Sequence, residues 1–163
     1  MSPHPPRKTP LRQAAQFLLG VPTEGINPAL DRMLDLAEAT PLCFVTVAGP
    51  GAGEAMCQLW RRGYQRVEAA RRATCGAADE RSDVLLVMGC PTLADARAVV
   101  AATSTMLRPG GTLVVDVGAL LDETPRRALA EALRDLGLEV QPQAHLGAEI
   151  LATRPFSRGR AAA

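Results

Sequence analysis

Three glycines at alternate positions, Gly49, Gly51 and Gly53, follow the apolar run CFVTV and precede a stretch with helical character. Such a strand-to-helix turn lets backbone approach a ligand, because absent side chains permit positive φ, and the following helix aims its N-terminal dipole at the same place. A tight turn uses the same glycines, so the motif carries both readings. Glu68 is an isolated carboxylate beside Arg66, Arg71 and Arg72, and Asp79 with Glu80 has the character of a surface turn. Cys90, in GCPTL, would be a nucleophile only with a lowered thiol pKa and a nearby acid, and its surroundings read instead as structural.

Other chemistries are poorly supplied. His4 and His145 are the two histidines, so a histidine-based metal site or a Ser/His/Asp triad has few possible members, and no metal is expected. Cys43, Cys57, Cys75 and Cys90 show no CxxC spacing and read as free thiols of a reducing compartment. A formal charge of +1 and 3% aromatic residues disfavour nucleic acid as a partner. One stretch, WRRGYQRVEAARR, could form a basic aromatic patch, but helical spacing turns Trp60 and Met56 toward the core and leaves the arginines as a solvated face. MSPHPPRKTP lacks the apolar segment of a signal peptide, and no later run reaches the roughly 20 apolar residues of a membrane span. A cytoplasmic protein without a membrane partner is expected.

The elements that must position these residues follow from periodicity. In a chain of 163 residues, 47% of them hydrophobic, one domain with one core is expected. Residues 1–10 and 157–163 read as flexible tails. Residues 11–40 form a helical segment: Leu11 to Leu19 has helical spacing, and Asn27 caps a second helix that begins at Pro28. Cys43 to Gly49 is a fully buried strand, Glu54 to Arg62 a helix closed by Gly63, Tyr64 to Ala69 a second strand and Val84 to Met88 a third. A helix from Thr92 through Leu107, a turn at Pro109 to Gly111, a strand from Thr112 to Val117 and a helix from Thr124 to Leu136 follow. LEVQPQ and AEILATRP close the chain as two strands. Alternating strands and helices predict a Rossmann-like, doubly wound, mostly parallel sheet over residues 41–156, with a C-terminal antiparallel hairpin.

This order, with the glycine loop and LRPGGTLVVDV, resembles the class I S-adenosylmethionine-dependent methyltransferases from about Pro41 to Arg154. The resemblance implies an S-adenosylmethionine site in which Gly49, Gly51 and Gly53 receive the methionine portion. It also implies an acid two residues before the first glycine and a second acid ending strand two, which receives the ribose hydroxyls. Val47 and Ala70 occupy those positions. Glu68, two residues before Ala70 on the same strand face, is the substitute for the ribose carboxylate, and Asp79 the substitute beside the adenine. Between Ala70 and Asp83 there is no length for the helix and strand that the family places there.

These departures imply a degenerate, shortened methyltransferase fold acting as a binding or regulatory module, with a protein partner or self-association. The alternative is an active, compact methyltransferase with an unspecified acceptor, using Glu68 or Asp79.

Overall fold

The computed structural model describes residues 27–70, 81–120, 122–142 and 148–156. The sequence-predicted helix at Leu11 to Leu19 and both tails lie outside them. Asn27 accepts hydrogen bonds at Oδ1 from the amides of Ala29 and Leu30, and so starts α1 (Pro28–Leu36), whose Leu30, Met33 and Leu34 are buried. β1 (Val45–Ala48) is buried at every position, as its apolar run predicts. It leads through the glycine loop into α2 (Ala52–Arg61), after which Gly63 takes φ +87° and reverses the chain.

Strand β2 (Val67–Ala69) is shorter than expected, because Tyr64 instead turns inward, where its hydroxyl donates to the Ala39 carbonyl at 3.0 Å. β3 (Ser82–Val87) is followed by α3 (Leu93–Thr103), capped by Thr92, whose Oγ1 accepts from the Asp95 amide at 3.1 Å. A single 3-10 turn, Ser104–Met106, leads into β4 (Leu107–Asp116). α4 (Glu123–Asp135) begins one residue before the expected start, and Gly137 follows it at φ +78°. β5 (Glu139–Val140) and β6 (Glu149–Thr153) are the last described strands.

The six described strands form one sheet in the order β2-β1-β3-β4-β6-β5. The pairings β1–β2, β1–β3 and β3–β4 are parallel, whereas β4–β6 and β5–β6 are antiparallel. This is the doubly wound sheet with a terminal hairpin that the element order predicts. Val45, Val47, Leu86 and Val114 pack under α1 and α2, while Leu85, Val87, Leu113 and Val115 pack under α3 and α4. Period-two alternation thus sends consecutive residues of one strand into two separate cores.

LRPGG is not the turn expected at Pro109 to Gly111. It lies within β4, and the pairing with β3 jumps from Ser82↔Leu107 to Val84↔Thr112, so β4 bulges there. The bulge is held by bonds that a free turn would lack. The Gly110 amide donates to the Arg154 carbonyl at 2.7 Å, the Arg154 amide donates to the Gly111 carbonyl at 2.9 Å, and Arg108 pairs with Asp83 at 2.8 Å.

Trp60 is a second correction. It is 51% exposed, not core-facing. α2 sets its buried face by Ala52, Ala55 and Leu59, which allow close approach to the sheet, and Trp60 lies about 100° further round the helix.

Candidate functional site

The crevice indicated by the glycine motif lies at the carboxyl ends of β1 and β3, where a doubly wound sheet offers its ligand site. Gly49 adopts φ +96° and Gly89 φ +72°, both in the left-handed region. A Cβ on Gly49 would run into the Met88 carbonyl oxygen, and one on Gly89 would stand 3.0 Å from the Gly51 nitrogen. The Gly51 amide donates to the Met88 carbonyl at 3.4 Å. The loops after two adjacent strands therefore interlock backbone to backbone, and Gly49 and Gly89 are required for that contact alone. Gly53 differs: it lies in the first turn of α2 with no atom near the place of a Cβ.

The two positions where the resemblance requires acids are resolved. Val47 is fully buried among Leu30, Met33 and Leu59, so a carboxylate there would enter an apolar core. Ala70 donates its amide to the Val47 carbonyl at 2.8 Å and lines a cleft of about 210 Å³. Ala48 and Gly49 form the sheet side of that cleft with Ala70, and Ala98, Val99, Ala102 and Thr103 of α3 form the other. Thr103 spends its hydroxyl on the Val99 carbonyl at 2.8 Å. Among the described residues the cleft has no charged lining group.

Glu68 shares the face of Ala70, as alternation predicts, but stands one pleat deeper along β2, roughly 6–7 Å away. There it is opposite Thr46, whose Oγ1 donates to the Glu68 carboxylate at 3.3 Å. Glu68 is not among the cleft-lining residues. Asp79 and Glu80 lie outside the described residues. The described groups thus do not supply the carboxylate contacts that the resemblance assigns to an adenosyl cofactor.

Cys90 is buried beside Leu85, Val87 and Ala96. Burial first, and then the charges of Asp95 and Asp116, push its thiol up from the ordinary value of 9.0. That direction opposes thiolate formation, so Cys90 packs as a small apolar residue. Among the described residues no group of three or more His, Cys, Asp or Glu side chains is placed to hold a metal, and no helix is long and apolar enough to cross a membrane.

Sequence reasoning missed a buried charge at the carboxyl end of β4. Glu149 is 3% exposed at the start of β6, opposite Asp116, and accepts from Arg32 Nε of α1 at 2.7 Å. The available signal was a lone acid heading the apolar run EILA.

Comparison with solved structures agrees with this architecture. The chain is similar to the Burkholderia thailandensis 1,6-didemethyltoxoflavin-N1-methyltransferase with bound 1,6-didemethyltoxoflavin and S-adenosylhomocysteine (20% identity, 93% of each chain, TM-score 0.52). It is also similar to a geranyl diphosphate methyltransferase in complex with S-adenosylmethionine (16% identity, 85% of this chain and 94% of that one, TM-score 0.54). A third is the S-adenosylmethionine-dependent O-methyltransferase of Thermotoga maritima (12% identity, 88% and 71%, TM-score 0.52). No family model matches the chain, and no curated protein matches it. The fold is that of the class I S-adenosylmethionine-dependent methyltransferases. The described strands form a six-stranded sheet of this fold, in which β2 is followed directly by β3 in the order of described strands.

Proposed function

We propose that this protein is a methyltransferase-fold binding or regulatory module of the cytoplasm that does not grip S-adenosylmethionine in the manner of its structural neighbours. The observation that carries this reading is that, among the described residues, the cleft beside Ala70 is lined by uncharged side chains, while Val47, the other position where the resemblance places an acid, is buried in the apolar core. A charge-assisted hydrogen bond contributes about 1.5–3 kcal/mol, so the loss of two weakens a ligand by two to four powers of ten. The interlocked glycine loops also direct the Gly51 amide at Met88. The scaffold then serves to present surfaces to a protein partner or a second copy.

Thermal unfolding with and without excess S-adenosylhomocysteine tests this. A ligand present at a thousand times its Kd adds about 4 kcal/mol to stability and raises Tm by many degrees. The reading expects an unchanged Tm.

One observation favours a second reading, an active compact methyltransferase. Glu68 is held by Thr46 on the same strand face as Ala70, so a shift of one pleat would bring a carboxylate to the cleft. That reading expects a ligand-dependent rise in Tm that Glu68→Ala removes.

A further inference from the structure

The structure assigns a binding site for one internal water molecule to the seam between α1 and α2, held between the side-chain oxygen of Gln58 and the guanidinium of Arg62. Glu54, Gln58 and Arg62 are four residues apart and share one face of α2. The Arg62 amide donates to the Gln58 carbonyl at 3.2 Å, so the helical turn carries through to Arg62. Arg62 Nη1 in turn stands 2.8 Å from Asp31 Oδ1, and this ion pair sets the end of that face against α1.

Gln58 is 6% exposed, on a helix whose other buried positions are Ala52, Ala55 and Leu59. One bond fixes the orientation of its amide. Nε2 donates to Glu54 Oε1 at 3.0 Å, and turning the amide over would set two oxygens against each other at that distance. Gln58 Oε1 is thus left on the side away from Glu54, and among the described residues nothing donates to it. Arg62 Nη1 is in a similar position: its contact with Asp31 is an attraction of charges, and the nitrogen makes no hydrogen bond among the described residues. Both atoms are shielded from solvent.

A buried acceptor and a buried donor on successive turns of one helix are complementary to water, which accepts from an N–H and donates to a C=O in the same position. Internal waters bind where two or more such groups converge. A buried amide oxygen with no donor carries its full desolvation cost, whereas a bridging water returns nearly the enthalpy of a direct bond. The water therefore links Gln58 to the Asp31–Arg62 pair and, through it, α2 to α1.

The seam lies on the face of the sheet covered by α1 and α2, opposite the cleft beside Ala70, so its test is separate from the cofactor question. A high-resolution crystal structure of the full chain should show one water within hydrogen-bond distance of both Gln58 Oε1 and Arg62 Nη1. A direct bond between those two atoms, or a protein donor on Gln58 Oε1, would overturn the inference. Stability gives a second reading in the Glu54→Ala background, which frees the other end of the amide. With the water in place, Gln58→Met loses its bond and leaves the Arg62 donor buried alone, so the unfolding equilibrium constant should rise about fivefold or more. Without it, the same change removes an unsatisfied group, and a constant that stays or falls contradicts the site. Should the Gln58→Met protein not fold, the wild-type density alone decides.

Discussion

Gly49 and Met88 meet backbone to backbone across the top of the sheet, with no space for a Cβ on the glycine beneath the Met88 carbonyl oxygen. The first glycine of a motif associated with cofactor binding is thus consumed by packing. Gly49→Ala combines the strain of a left-handed φ with overpacking and should cost about 2–4 kcal/mol. Gly53→Ala, inside α2 and facing open space, should gain up to about 0.5–1 kcal/mol. Urea unfolding of the two variants beside the wild type checks both signs.

Much of the frame was readable because local chemistry and burial agree. The runs VTVA and VLLV are short, apolar and bounded by glycine or proline, and Asn27-Pro28 and Thr92-Asp95 are complete capping signals. The β4 bulge was not readable, since Pro109 to Gly111 has the composition of a turn and only pairing with Arg154 and Asp83 makes it strand. Trp60 misled because hydrophobicity alone does not fix a helix's phase; the small residues Ala52 and Ala55 do.

At the site, Gly49, Gly51 and Gly53 are equivalent in the sequence but not in space. The role of Gly89 depends on β1 and β3 being neighbours, which no local pattern encodes. Thr46 as the partner of Glu68 follows from strand register and was likewise invisible.

Cys90 makes an alkaline prediction. Its folded-state thiol titrates above 9.0, so the folded state holds that proton more tightly than the unfolded chain. The contribution to stability is complete below about pH 9 and is lost as pH rises through the folded value. Urea midpoints taken from about pH 8 upward should fall for the wild type more steeply than for Cys90→Ala. Thiol labelling at neutral pH should reach exposed Cys57 well before Cys90.

Arg32 and Glu149 couple α1 to the sheet's far half. Removing the arginine strands a carboxylate that is 3% exposed, and Arg32→Ala should cost about 2–3 kcal/mol. A double-mutant cycle with Glu149→Gln should return a coupling of at least about 1 kcal/mol. Purely additive losses would mean that the pair does not dock the helix.

Calorimetric titration of the purified protein with S-adenosylmethionine and S-adenosylhomocysteine reaches the central claim most directly. The uncharged side chains that line the cleft beside Ala70 among the described residues predict no saturable heat at micromolar concentrations of either compound. A one-to-one isotherm in that range, abolished by Glu68→Ala, would contradict the account.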